Sequence, residues 1–201
     1  IGYMKQLKAK GIKHQALKAG DVLDFGSGVS FKVFYPTKEL VEKGTQKGYK
    51  HDPNNESVVG KLTYGDFSML FTGDAEQPVE EQLLKADAKD LRSPILKSPH
   101  HGSSTGSSVA YLKAVWPEAV LISCGQGNDY GHPHTDVLAR YLGKDTYKDR
   151  RDGSQKKTKL VKNDKGEVYK GKVYETDKNG TITITTDGKD YSIKAEEGKA
   201  Q

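Results

Sequence analysis

The chain has 201 residues and a mass of 22.1 kDa, with 34% hydrophobic and 29% charged residues, so it can bury one sizeable core and must leave much of its length as surface, loop or ribbon. A single cysteine, Cys124, excludes an intrachain disulfide framework and a zinc ribbon, and no apolar run approaches the length of a membrane span. The net charge of +5 is local, because Gly143 to Lys172 carries nine Lys and two Arg against four Asp and one Glu.

The chain opens on Ile1 with no signal peptide and is expected to be a piece of a longer protein. Tyr3 to Lys10 reads as a helix closed by Gly11. Asp21 to Phe25 and Ser30 to Tyr35 alternate with period two around Gly26-Ser27-Gly28, a hairpin signal that ends at Pro36. Thr37 to Glu56 is polar and rich in Lys and Gly and is expected to be a long surface loop.

Ser57 to Thr63 and Phe67 to Phe71 form a second strand pair across Tyr64-Gly65-Asp66. Amphipathic helices are predicted over Gln77 to Ala86 and Ser107 to Val115, each followed by a short apolar strand, at Ile95 and at Val120. Strands alternating with helices give an α/β sheet with helices packed on it. Thr135 to Leu142 is the last clear helix, with Thr135 as its cap. Beyond Gly143, Thr158 to Lys162 and Glu167 to Tyr174 are expected to pair as a basic ribbon. Thr181 to Thr185 and Tyr191 to Ile193 are expected to pair as another, joined at Asp187-Gly188.

Three strand ends carry the chemistry. Met69-Leu70-Phe71-Thr72-Gly73-Asp74 delivers a carboxylate, which can serve as a helix cap in Asp74-Ala75-Glu76-Gln77 or bridge two cations beside imidazole. Pro94-Ile95-Leu96 leads to His100 and His101, which would face opposite sides if the strand continued through them. Val120 to Ser123 leads to His132 and His134: either His134 merely precedes a helix, or His132 or His134 contacts an anionic substrate or gives a proton to a leaving group. Asn55 and Ser57 suit a turn, and can also donate hydrogen bonds to a phosphate. The Lys-rich stretch with Tyr147, Tyr169 and Tyr174 interleaved is either a solvated face or a nucleic-acid track.

Taken together, these stretches resemble the metallo-β-lactamase-like domain of ComEC-type competence proteins, membrane channels that take up DNA, and their free-standing hydrolase relatives. The resemblance rests on Asn54 to Val59, Leu70 to Glu76, Leu96 to Ser103, Ile122 to Gly125 with Asn128, Tyr130 to His134, and Val173 to Ile182. Order and approximate spacing match over nearly the whole chain, with Gly143 to Lys172 as extra length.

The resemblance implies an αββα sandwich and a metal-dependent phosphodiesterase or nuclease acting on DNA during uptake. It implies Asp74 as bridging ligand and His101 as a further ligand of Zn or Mn, two ions per complete site. His100, Asn55, His132 and His134 would act as catalytic groups, and Ser57, Ser103, Ser104 and Tyr130 would contact substrate. Outside the resemblance, if the basic ribbon is a nucleic-acid track rather than a solvated face, Lys156, Lys157, Lys159 and Lys162 would meet DNA. The parent would be membrane-associated and would act outside the cytoplasm of a bacterium.

Nothing in the chain matches the family's His-x-(His or Asp)-x-Asp-His motif, and a catalytic zinc normally takes three protein ligands. Residues 1 to 201 are therefore expected to be one partial, carboxy-terminal domain with a basic insertion at 143 to 172, incomplete as a hydrolase without an upstream half or a second chain. The alternatives are a DNA-binding or assembly module without catalysis, and a hydrolase of small esters or lactams.

Overall fold

A computed structural model describes residues 2–201. After a first helix, α1 (Gly2–Ala9), the chain builds a mixed seven-stranded sheet. β1 (Val22–Gly26), β2 (Val29–Tyr35), β3 (Val59–Tyr64) and β4 (Phe67–Phe71) run antiparallel to one another. β5 (Ile95–Lys97), β6 (Ala119–Ile122) and β9 (Lys172–Glu175) then continue the sheet parallel to β4, giving the order β1-β2-β3-β4-β5-β6-β9. The switch from antiparallel to parallel pairing follows the connections, because parallel neighbours need crossovers. Those crossovers carry α3 (Gln77–Asp87), α4 (Val109–Val115) and α5 (Thr135–Tyr141).

Period-two alternation divides the strand residues between two faces. Leu70, Leu96, Val120, Ile122 and Val173 meet Val79 and Leu83 of α3, Tyr111, Leu112 and Val115 of α4, and Val137 and Tyr141 of α5. Phe67, Ile95 and Ala119 point the other way and are covered by Ile184, Tyr191 and Ile193 of a hairpin, β10 (Ile182–Thr186) with β11 (Tyr191–Ala195). That hairpin is pinned at its turn, where the Gly188 carbonyl accepts from the amides of Asp66 (2.6 Å) and Phe67 (3.2 Å). The described residues thus form one large sheet with helices on one face and a two-stranded sheet on the other.

Five local expectations are corrected. Thr135 does not cap α5 but is its first residue; His134 holds the cap position, with no side-chain capping bond. Residues 37 to 56 are not all loop: α2 (Lys38–Gly44) forms there, capped by Thr37 Oγ1, which accepts from the Leu40 amide at 3.2 Å. The basic hairpin is formed by β7 (Thr146–Lys148) and β8 (Gln155–Lys157), upstream of the predicted pair. Thr158 to Tyr174 contributes only the isolated bridge Lys162–Val168, because Val173 and Tyr174 are taken into the main sheet as β9. Tyr169 is buried against Trp116, with ring centroids 5.4 Å apart, so it offers no face to a base. Among the described residues no helix is long and apolar enough to cross a membrane.

Candidate active site

The four parallel strands end at the same edge, where open α/β sheets place their ligands. β4 leads to Asp74, β5 to His100 and His101, β6 to Ser123 and Cys124, and β9 to Glu175 and Asp177. Asp74 is not a helix cap. The residue preceding α3 is Glu76, whose side chain makes no capping bond, and the Asp74 amide instead donates to Ser57 Oγ at 3.0 Å. Gly73 permits that approach, since a Cβ there would lie 2.8 Å from Ser57 Cβ.

His100 and His101 do not continue the strand. β5 stops at Lys97 and both histidines are left-handed, with φ of 43° and 54°. Non-glycine residues rarely hold that conformation unless their surroundings require it. The His100 amide donates to the Gly73 carbonyl at 3.1 Å and so ties the two strand ends together. Gly102 follows at φ 81°, and a Cβ there would lie 2.6 Å from Pro133 Cβ. The His132-Pro133-His134 loop therefore packs directly on this turn.

Hydrogen bonds set the histidine tautomers. His101 Nδ1 lies 2.6 Å from the Ser123 carbonyl, which can only accept, so Nδ1 carries a proton and donates it. Its Nε2 then faces Asp74 Oδ1 at 3.1 Å. A bare imidazole nitrogen facing a carboxylate oxygen at that distance calls for a proton or a metal ion between them. His100 Nδ1 stands 3.1 Å from Glu76 Oε1, again directing its Nε2 outward. His134 Nδ1 accepts from the Ser104 amide at 2.9 Å, which places the proton on Nε2, 3.3 Å from the Tyr130 carbonyl.

His132 lies among these rings, with centroids 5.4 Å from His100, 6.5 Å from His101 and 4.8 Å from His134. Burial first, then repulsion from His134, His100 and His101, lowers its pKa to about 4, so the ring is neutral near pH 7. Asn128 holds its backbone, donating to the His132 carbonyl at 2.7 Å and accepting from its amide at 2.9 Å. Tyr130 stacks on the ring at 5.6 Å and is 79% exposed.

Six predicted residues, Asp74, His100, His101, His132, His134 and Tyr130, thus come together. Asn55 joins them through Glu76: its Oδ1 accepts from the Glu76 amide at 3.2 Å, and its Nδ2 donates to Asp52 Oδ2 at 2.9 Å. Ser103 is buried and its Oγ accepts from the Thr105 amide at 3.3 Å, while Ser104 contributes its amide to His134. Of the ribbon lysines, Lys156 is paired with Asp149 at 2.7 Å and Asp152 at 3.1 Å. Lys157, Lys159 and Lys162 are exposed and, among the described residues, form no ion pair.

Among the described residues, no third His, Cys, Asp or Glu forms a ligand group with Asp74 and His101. Among the described residues, the one group of three or more His, Cys, Asp or Glu with ligand atoms all within 4.8 Å of one another is Cys124, Glu175 and Asp177. Residue pattern alone assigns no role to this group, nor to Glu76. Burial and then the hydrogen bond to Asp177 push the Cys124 thiol up to about 11, so it is not a thiolate near neutral pH. All three residues lie within stretches that carry the family resemblance; only the parallel pairing of β6 with β9 brings them together.

No protein-family model matches the chain. It is similar to "Uncharacterized protein YcaI" of Escherichia coli, 31% identical over 128 residues, covering 64% of this chain and 16% of that protein. It is also similar to ComE operon protein 3 of Bacillus subtilis, 28% identical over 135 residues, 67% of this chain and 16% of that protein. Competence protein ComA of Neisseria gonorrhoeae is 40% identical over 89 residues, 44% of this chain and 13% of that protein. The similarity thus spans about a sixth of these relatives or less. Among solved structures, a Parabacteroides distasonis protein described as a metal-dependent hydrolase is 19% identical, with a TM-score of 0.39, over 67% of this chain and 56% of that one.

Proposed function

We propose that the chain is the carboxy-terminal part of a metal-dependent phosphodiesterase or nuclease that acts on DNA during competence uptake. The opposition of His101 Nε2 and Asp74 Oδ1 at 3.1 Å carries this reading. The donor set, an imidazole nitrogen fixed by a backbone carbonyl and a carboxylate, suits Zn²⁺ or Mn²⁺. When bound, a divalent ion would polarise a phosphodiester oxygen and lower the pKa of water. The similarity to competence proteins of Bacillus and Neisseria favours DNA over a small ester or lactam.

The chain's own groups divide the remaining work. His101 and Asp74 would hold the metal. His134, whose Nε2–H among the described residues has only the 3.3 Å contact with the Tyr130 carbonyl, gives a hydrogen bond to an anionic oxygen of the substrate. His100 Nε2 is a free acceptor for a proton from water. Neutral His132, stacked on Tyr130, forms a flat wall for a base or sugar and repels no metal.

Two protein ligands are too few for a catalytic zinc, so the hydrolase is completed by residues outside this chain, as in half of an αββα sandwich. Residues 1 to 201 are on this reading one partial domain, with 143 to 172 as its basic insertion. The test is cleavage of single- and double-stranded DNA with Mn²⁺ or Zn²⁺ by this chain and by the same chain extended upstream. Cleavage by the extended protein alone, lost with Asp74→Ala or His101→Ala, supports the proposal. An extended protein that binds metal and cuts no DNA contradicts it and leaves a DNA-binding module, the second reading that exposed Lys157, Lys159 and Lys162 favour.

A further inference from the structure

We propose that Cys124, Glu175 and Asp177 form a separate binding site for a thiophilic divalent cation, of which Zn²⁺ is the type. Cys124 follows β6 by two residues, Glu175 is the last residue of β9, and Asp177 lies in the short helix α6 (Thr176–Asn179). Parallel pairing sets Ile122 opposite Glu175 and so brings the three together. Thr176 fixes the cysteine from both sides: its Oγ1 accepts from the Cys124 amide at 2.8 Å and donates to the Cys124 carbonyl at 2.7 Å.

One ligand atom from each residue lies within 4.8 Å of the others. The independent sign of a ligand is Glu175. Its side chain is fully buried; Oε1 accepts from Lys178 Nζ at 2.7 Å and from Gln201 Nε2, while Oε2 is buried with no hydrogen-bond partner. A carboxylate oxygen removed from water without a partner is costly, and such groups in native proteins mark an ion, a water or a functional role.

Charge and donor type point to an ion. Glu175 and Asp177 against Lys178 leave one negative charge, and exchanging the Cys124 thiol proton for a divalent cation leaves none. The proton now joins Cys124 Sγ to Asp177 Oδ1 at 3.3 Å, where the cation would replace it. One thiolate with two carboxylate oxygens suits Zn²⁺ or Co²⁺ and disfavours Mg²⁺ and Ca²⁺. Three protein donors would leave a fourth position of a tetrahedral ion to water, and Cys124 also lines the cleft that holds His101 and His132.

The test is titration of Co²⁺ into the 201-residue chain, followed by displacement with Zn²⁺. A thiolate-to-cobalt charge-transfer absorption saturating at one equivalent is expected. It should vanish in Cys124→Ser, persist in an Asp74→Ala/His101→Ala double variant, and be accompanied in Asp177→Asn by Zn²⁺ affinity weakened at least about 100-fold, the upper range for losing an indirect partner. Circular dichroism confirms that each variant is folded. Absence of the band in the wild type, or its survival in folded Cys124→Ser, overturns the proposal. Its loss in the Asp74/His101 variant also does so, by assigning the thiol to the histidine site; failure of the hydrolase reading alone leaves the band intact.

Discussion

Glu80 on α3 accepts a hydrogen bond from the backbone amide of Ser108 at 2.9 Å, across 28 residues of sequence. Its other oxygen accepts from the Ser107 amide, and Arg140 of α5 donates to the Ser107 carbonyl at 2.5 Å. Two crossover helices, α3 and α5, thereby hold the segment that runs from the His100-His101 turn into α4. Glu80→Gln turns one acceptor into a donor facing an amide. It should lower unfolding free energy by about 1–3 kcal/mol, read from urea denaturation. An unchanged midpoint would mean that the loop is held without Glu80.

The same carboxyl gives stability a pH dependence. Burial raises its pKa above the usual 4.5, outweighing the Ser107 and Ser108 hydrogen bonds and the Arg140 charge that lower it. The folded chain therefore holds this proton more tightly than the unfolded chain. That contribution is complete below about pH 4.5, declines as pH rises toward the folded pKa, and is absent above it. The cost of Glu80→Gln should accordingly be larger near pH 4 than near pH 7. A cost that does not vary with pH would show that the folded pKa is not raised.

Gly102 joins the two histidine turns. Its φ is 81°, and a methyl group added there would stand only 2.6 Å from Pro133 Cβ, so Gly102→Ala forces the His132-Pro133-His134 loop away. The backbone strain alone costs about 1–2 kcal/mol. Thermal unfolding measures that loss, and histidine NMR should show the His132 and His134 resonances moving more than that of His14. Equal shifts throughout would contradict the packing.

The basic ribbon separates two kinds of lysine. If Lys157, Lys159 and Lys162 each meet a phosphate, replacing all three with Ala should reduce the slope of log affinity for DNA against log salt by about 2–3. Lys156→Ala should leave the slope nearly unchanged and loosen the ribbon instead, since it removes a partner of Asp149 and Asp152. An unaltered slope in the triple variant would make the ribbon a solvated face.

Strands with clean alternation or apolar runs are legible in the sequence, because one face of each is buried: Phe67 to Phe71, Ile95 and Val120 fall where expected. The helix at Lys38–Gly44 is hidden because it has no buried residue and hence no apolar stripe to betray it. Glu167 to Tyr174 reads as one ribbon strand, yet Val173 is fully buried in the main sheet, a tertiary pairing that local pattern does not reveal. At the site, Asp74 and the four histidines are found from their places at strand ends. The alternation expected for His100 and His101 fails because both are left-handed, which residue type alone does not signal. Glu76 and the Cys124–Glu175–Asp177 group emerge only when distant strand ends are brought side by side.

On the proposed function, His101 and Asp74 bind a divalent cation. The most direct measurement is the histidine side-chain NMR spectrum of the chain during addition of substoichiometric Mn²⁺, a cation poorly suited to the Cys124 thiolate. His101 should broaden first, followed by His100, His132 and His134, with His14 and His51 unaffected, and Asp74→Ala should abolish the effect. Broadening of His14 and His51 to the same extent, or a pattern unchanged by Asp74→Ala, would contradict it.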